Sequence, residues 1–409
     1  EHPEPPVSQF AVDLEQAASW ERLSTRLHEI SSVLSMFSIT TLVCTARRTS
    51  RSFVSFACLG WAAAASAQPA LSDSPAEGGR SAPSEERTET PAFGDWDSLT
   101  GDWGQARTDL ADAGVEVELV YTAEVAGNAV GGVRRGVVHL GDVGLTLTLG
   151  FDEMVGWPGA TLFLHGNAIY GDSPSELVGD AQVVSNLDGG TSVRLFEAWF
   201  EQAVGDDAIS LRVGLYDLNS EFDVMETAAL FFNSSQGIGV DFSQSGRAGP
   251  SIFPITSLGA RLRVQPARGA YFQTVVLDGE PEDLPSLELS EEDGALIAVE
   301  AGYEMRPDNG DPWFKLAIGG WFYTASADDL VGVDTNGEPL RQRNAGGYVL
   351  GEVRLFGERG APSQGLAAFA RLGAAEGRDN PFQYYVGAGV LNTGLLPTRD
   401  EDQLGLAVA

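Results

Sequence analysis

The most constraining feature of this sequence is a long alternation of apolar and polar residues that begins at Val115 and continues to Ala409. It falls into roughly thirteen segments of about ten residues each. Because side chains alternate across a strand, each segment predicts a β-strand with one apolar and one polar face. The clearest segments are 115–126, 137–150, 256–265, 295–305 and 313–324, and the weaker ones are 346–356, 365–376, 382–394 and 403–409.

The connections between these segments alternate between long and short. The long ones are 171–191, 218–255, 279–294 and 326–345, and the short ones are 151–158, 204–208, 266–269, 306–312 and 357–364. Outer-membrane barrels have short periplasmic turns and long outer loops, whereas a soluble sandwich has no reason to sort its loops. The sequence therefore predicts an all-β fold, an antiparallel transmembrane β-barrel over 115–409.

The longest connection, 218–255, carries the apolar patch Ala228–Phe232 within an otherwise polar loop. An apolar patch gains free energy by leaving water, so we expect this loop to fold inward and narrow the lumen. The alternative is a loop that rests on the rim of the barrel.

The first part of the chain has the features of a secreted precursor. Arg47, Arg48 and Arg51 precede an apolar run over 53–65, which ends at the small residues Ala65-Ser66-Ala67. This order predicts a secretory signal peptide with cleavage before Gln68. The predicted divisions are an upstream extension at 1–35, the signal peptide at 36–67, a disordered linker at 68–94, a short helical segment at 95–114, and the barrel. Two interpretations of 1–35 stay open, sequence upstream of a true start at Met36 or a small helix.

Composition excludes several kinds of chemistry. The formal net charge of −33 argues against nucleic acid, which requires a basic surface. The four histidines are scattered without metal-ligand spacing, and Cys44 and Cys58 both lie in the region expected to be removed. No Ser–His–Asp set is suggested, so the sequence predicts no enzyme, no metal site and no cofactor.

The candidate substrate site lies in the stretch Thr191–Glu221, which predicts two strands around a turn at Gly205–Ala208. Glu197, Trp199 and Glu201 alternate on one face, and Glu201 falls opposite Arg212 if the turn is placed correctly. Charged groups bond sugar hydroxyls and aromatic rings stack on sugar C–H faces, so this surface suits carbohydrates. The alternative is a wall that a Glu201–Arg212 salt bridge only stiffens.

The face with Glu197, Trp199 and Glu201 points into the barrel if Phe196, Ala198 and Phe200, on the opposite face, point toward lipid. Arg194 has the same parity as Phe196, and we expect it to reach the headgroups from the outer end of the strand. The predicted substrate-pathway residues are Glu124, Glu197, Trp199, Glu201, Arg212, Tyr216, Glu221, Arg261 and Arg263.

Several motifs resemble the carbohydrate-selective porins of the OprB family. They are LTGDWG at 99–104, YTAE at 121–124, GGVRRG at 131–136, GWPGA at 156–160, RLFEAWFEQ at 194–202, FNSS at 232–235, YVGAG at 385–389 and LGLAVA at 404–409. The resemblance implies a sixteen-stranded barrel in the outer membrane of a Gram-negative bacterium that passes glucose and other sugars by diffusion. The chain departs from it by stopping at Ala409, so we expect a truncated sequence without closing strands.

Three functions remain open from the sequence. The first is a porin for monosaccharides and small oligosaccharides in contact with outer-membrane lipid, and the second is a general or ion-selective porin. The third, which the absence of a catalytic set disfavours, is an outer-membrane or secreted β-rich enzyme acting on polysaccharide. The oligomeric state is not predicted.

Overall fold

The structure is a computed structural model that describes residues 100–282, 293–306, 313–358, 361–396 and 399–409. The predicted upstream extension, signal peptide and linker lie outside these residues. From Asp102 onward, the described residues belong to one structural unit. None of the helices in the described ranges combines the length and the apolar character needed to cross a bilayer.

A short helix leads into the sheet, as the sequence predicts. A 3-10 turn at Trp103–Gln105 precedes helix α1 (Ala106–Asp112). The Asp102 carboxylate accepts the backbone N–H of Thr108 at 3.0 Å. The helix is followed by Gly114 at φ 79°, a left-handed conformation that favours glycine and turns the chain into the first strand.

Thirteen antiparallel strands form one sheet in which neighbours along the chain are neighbours in space, and a separate two-stranded hairpin follows the ninth strand. This confirms the predicted all-β antiparallel fold. The hairpin lies in the connection 326–345, which the sequence predicts only as a long loop. The strands are β1 (Val115–Asn128), β2 (Gly136–Gly150), β3 (Ala160–Gly171), β4 (Ser192–Val204), β5 (Ile209–Tyr216), β6 (Ser257–Ala267), β7 (Ala270–Asp278), β8 (Ala295–Met305), β9 (Phe314–Tyr323), β10 (Ala327–Val333) and β11 (Pro339–Gln342) of the hairpin, β12 (Ala345–Glu358), β13 (Ala361–Ala375), β14 (Tyr384–Thr393) and β15 (Gln403–Val408). Within the described ranges, β1 and β15 are the two edges of the sheet, and no hydrogen-bonded ladder joins them.

The two faces of the sheet differ in the way that a membrane barrel requires. On β9, Leu316 and Ile318 are 56% and 61% exposed, whereas Ala317 and Trp321 on the other face are 1% and 3% exposed. Exposed apolar side chains on the outer face are stable only against lipid. Aromatic groups lie near both ends of this face: Phe151, Trp157 and Phe200 pack together beside a short turn, and the Tyr121 and Tyr170 hydroxyls meet at 2.6 Å toward the long loops.

A β-bulge in β4 corrects one part of the sequence prediction. His165 pairs with Glu197 but Gly166 pairs with Leu195, so Phe196 is an extra residue without a partner in β3. A bulge places two successive residues on one face, and Phe196 accordingly turns inward, 5.3 Å from the His165 ring and 6% exposed. The prediction that Phe196 faces lipid is therefore wrong.

The same bulge changes the interpretation of Arg194. Before the bulge, Val193 and Leu195 are the outward residues, at 60% and 54% exposure. Arg194 lies between them on the inner face, where its strand position pairs with the buried Asn167. It is therefore not placed to reach the lipid headgroups.

The core of the protein lies inside the curve of the sheet. The connection between β5 and β6, residues 217–256 and here called L3, packs against inward side chains of the distant strands. Phe242 of L3 stacks on Trp321 with a centroid distance of 4.2 Å, and Phe231 contacts Phe369 at 5.7 Å. The apolar patch Ala228–Phe232 therefore folds inward, as predicted, and does not rest on the rim.

The outward position of Ile318 gives a test of the membrane-facing surface. Ile318→Lys places a charge in the middle of a strand and should cost about 2–4 kcal/mol of barrel stability, whereas the cost near the interface falls to about 0–1 kcal/mol. Val137→Lys, at the long-loop end of β2, is the matched control because Val137 is also outward and 73% exposed. Urea titration of the folded protein in lipid measures both. Equal costs would contradict the assignment.

Candidate functional site

Four charged side chains meet on the inner wall where L3 begins. Glu201, Arg212 and Arg261 are direct neighbours across β4, β5 and β6, so strand register alone places them on one face. A 3-10 turn at Leu218–Ser220 then brings Glu221 of L3 to the same point. These four residues are called the wall cluster below.

The wall cluster is closely hydrogen-bonded. Arg212 Nε donates to Glu201 Oε2 at 3.0 Å, which confirms the predicted pair. Arg261 donates to Glu201 at 2.5 Å through Nη2 and to Glu221 at 2.7 Å through Nε. The two arginines would repel each other as cross-strand neighbours, and the two carboxylates offset this repulsion.

Burial makes these contacts strong. The side chains of Arg261 and Arg212 are 2% and 8% exposed, and those of Glu201 and Glu221 are each 15% exposed. Burial raises the pKa of the Glu221 carboxyl, but Arg212 and Arg261 outweigh this effect and hold the pKa below its usual range. The wall cluster therefore fixes the start of L3 through charge.

Trp199 packs against the wall cluster through the side chain of Arg212. The Arg212 guanidinium lies 3.7 Å from the centroid of the Trp199 ring, and Phe163 stacks on the ring at 4.9 Å. Arg212 and Phe163 belong to β5 and β3, which flank Trp199 on opposite sides, so both ring faces are covered. Trp199 is 6% exposed. Its ring cannot stack on a sugar in this conformation, contrary to the role predicted from sequence.

Tyr216 and Glu197 are also occupied by contacts with L3. The Tyr216 hydroxyl donates to Glu221 at 2.5 Å, and Tyr216 is 1% exposed. Glu197 accepts the Trp199 indole N–H at 3.1 Å and the backbone N–H of Asp217 at 3.3 Å. Burial, and next the charge of Glu197, raise the pKa of Asp217. These side chains hold the loop in place and present little surface to the lumen.

Arg263 and Glu124 are the last two of the predicted substrate-pathway residues, and they lie in different parts of the wall. Arg263 lies next to the wall cluster, 3.9 Å from Glu221, and its side chain remains 29% exposed. Its guanidinium lies 4.8 Å from the centroid of the Tyr271 ring. Glu124, by contrast, lies apart on β1 and accepts the Ser185 hydroxyl at 2.8 Å, which anchors the loop 172–191.

The sequence prediction missed a second ionic cluster on the opposite part of the wall. Arg371 of β13 pairs with Asp223 and Asp241, both from L3. The alternation of Phe369 and Arg371 indicates an inward arginine, but nothing local identifies its partners. Within the described ranges, no group of three or more His, Cys, Asp or Glu residues is arranged to hold a metal.

An antiparallel sheet with an apolar outer face, sorted loops, and the long loop L3 held inside by charged wall residues defines a porin, a channel of the outer membrane. The family comparison agrees with this class. The chain belongs to the carbohydrate-selective porin, OprB family, which matches residues 134–409. It is therefore an outer-membrane sugar porin of the Gram-negative type, and the resemblance noted in its motifs is confirmed.

Individual relatives are distant in sequence. Porin B of Pseudomonas aeruginosa is 25% identical over 340 residues, which cover 76% of this chain and 73% of Porin B. The high-pH structure of Pseudomonas putida OprB has a TM-score of 0.67 at 22% identity, covering 78% of this chain and 80% of that one. The low-pH structure of the same protein has a TM-score of 0.50 at 20% identity, covering 76% and 82%. These structures support the fold.

The different burial of Arg261 and Arg263 gives a stability test. Arg261→Gln leaves two mostly buried carboxylates, Glu201 and Glu221, to share Arg212 as their partner. The cost should approach the roughly 3–5 kcal/mol of breaking a buried ion pair. Arg263→Gln removes a partly exposed arginine and should cost about 0–1 kcal/mol. Free energies of unfolding in urea, measured in one detergent, compare the two variants. A similar cost for both would show that the wall cluster does not stabilise the fold.

Proposed function

We propose that small sugars such as glucose diffuse past the exposed edge of the wall cluster and make weak contacts there. The observation that carries the proposal is the partial exposure of three charged side chains, two in the wall cluster and Arg263 beside it. Glu201 and Glu221 each keep 15% of their side-chain surface exposed and Arg263 keeps 29%. Their oxygens and N–H groups remain available to hydroxyls while their positions are fixed by buried partners.

The arrangement suits passage rather than retention. A carboxylate or guanidinium forms strong hydrogen bonds with hydroxyl groups. Each charged side chain here already has hydrogen-bonding partners in the protein, so only its exposed atoms can contact a sugar. Transport requires contacts that are favourable enough for entry and weak enough for exit. Arg212, Arg261, Glu197, Trp199 and Tyr216 then serve to position the exposed edges, and the contribution of Glu124 is to hold the loop 172–191.

A general or ion-selective porin is the second candidate. The charge balance at the site favours the sugar hypothesis over strong ion selectivity, because two carboxylates face three arginines within a few ångströms. Opposite charges this close largely cancel at a distance, and screening by salt reduces the remainder. Membership of a porin family supports a channel without catalysis. The apolar outer face is proposed to contact outer-membrane lipid.

The contact with Arg263 can be tested by glucose block of ion current through the reconstituted protein. Arg263→Gln should weaken the block roughly fivefold, because losing one charge-assisted hydrogen bond costs on the order of 1 kcal/mol or more. Arg268→Gln is the matched control: it makes the same charge change in the exposed turn between β6 and β7. Its block should equal that of the unmodified protein.

Three other results would redirect the proposal. Unchanged block in Arg263→Gln would place the sugar route elsewhere on the wall. Absence of block in the unmodified protein, with ion current intact, would favour a general porin. Release of new sugar ends from a polysaccharide by the purified protein would indicate an enzyme.

A further inference from the structure

One arginine of the far wall binds two acidic residues of L3. Arg371 Nε contacts Asp223 Oδ1 at 2.7 Å and Oδ2 at 2.9 Å, and Arg371 Nη1 contacts Asp241 Oδ1 at 2.6 Å. All three side chains are 0% exposed. The rings of Tyr348 and Tyr385 lie 5.1 and 5.0 Å from the guanidinium carbon. We call Arg371, Asp223 and Asp241 the latch.

The latch joins two limbs of L3, one before and one after the inward apolar patch. Asp223 precedes the inward patch and Asp241 follows it, and the backbone N–H of Gly239 donates to Asp223 at 3.4 Å. Arg371 is on β13, which lies five strands beyond β6 in the sheet. A single guanidinium therefore ties both limbs of a loop that begins at β5 to a remote part of the wall.

Between these limbs, polar groups of the wall bind the backbone of L3. Glu300 accepts the N–H of Asp223 at 2.9 Å, Lys315 donates to the carbonyl of Val224 at 2.7 Å, and Glu352 accepts the N–H of Thr227 at 2.7 Å. Each acceptor or donor belongs to a different strand, β8, β9 or β12. The loop thus follows the wall from β8 to β12, and the latch holds together the residues before and after this excursion.

We propose that Arg371 is a positioning residue for transport: by holding both limbs of L3 against β13, it sets the width of the sugar route. The inference rests on the proposed function, because a loop that lines the route controls its cross-section. One aspartate is enough to balance the charge of Arg371, but two are needed to occupy its planar fork of donors. Lysine in its place has no such fork and cannot reproduce both contacts.

Two glycines make room for the latch and provide a way to test it. A Cβ at Gly373 would lie 2.0 Å from Asp241 Oδ2, and one at Gly239 would lie 2.0 Å from Arg371 Nη1. Gly373→Ala therefore displaces Asp241 without removing any charge. Gly351→Ala is the matched control on the neighbouring strand β12, because its nearest heavy atom would be 3.5 Å away, an ordinary contact.

The experiment compares single-channel conductance in potassium chloride for Gly373→Ala, Asp241→Asn, Arg371→Lys and Gly351→Ala. We expect the first three to show a raised mean conductance and more open-channel noise, with weakened glucose block. Gly351→Ala should match the unmodified protein. Heat-dependent mobility on gels confirms that each variant forms a folded barrel, so a change in conductance is separated from loss of the fold.

The outcomes distinguish the latch from the sugar proposal. Raised conductance without any glucose block in the unmodified protein would keep the latch and reject the sugar route. Folded variants with unchanged conductance would overturn the latch as a positioning device. Failure of both Gly373→Ala and Asp241→Asn to insert would also overturn it, since the cluster would then be required for folding and not for pore width.

Discussion

Buried pairing between arginines of the wall and carboxylates of L3 is the interaction on which the structure depends. Arg261 binds Glu221 at the start of the loop, and Arg371 binds Asp223 and Asp241 farther along it. Removing either arginine would leave two buried carboxylates with too little positive charge beside them, which is strongly unfavourable. The loop and the wall therefore stabilise each other, and the apolar contacts of Phe242 with Trp321 follow from the position that the charges fix.

This pairing also explains why the site offers only weak contacts to a ligand. Most of the hydrogen-bonding capacity of Glu201 and Glu221 is used by Arg212 and Arg261, so a passing hydroxyl competes for what remains. Membership of the carbohydrate-selective porin family and the near balance of charge at the wall cluster agree with a neutral, hydroxyl-rich solute. The rigidity of the loop and the weakness of the contacts thus have a common physical origin.

The sequence predicted what depends on local periodicity and adjacent strands. The alternation gave the outer face, and the pairing of Glu201 with Arg212 followed from one turn. Three features could not be predicted because they depend on one extra residue, on side-chain conformation or on distant contacts. They are the bulge at Phe196, the covering of both Trp199 faces, and the pairing of Arg371 with residues more than a hundred positions earlier.

The most direct test of the account is the conductance of a protein that lacks residues 224–236 of L3. The ends of this excision are close in space, because Asn219 Nδ2 donates to the carbonyls of both Phe222 and Gly237, at 3.1 and 3.3 Å, so the wall can remain intact. If the segment of L3 that the flanking charge pairs hold inside the barrel narrows the route, the deletion raises single-channel conductance and abolishes glucose block while the barrel stays inserted. Unchanged conductance and unchanged block would contradict the claim that L3 defines the pore.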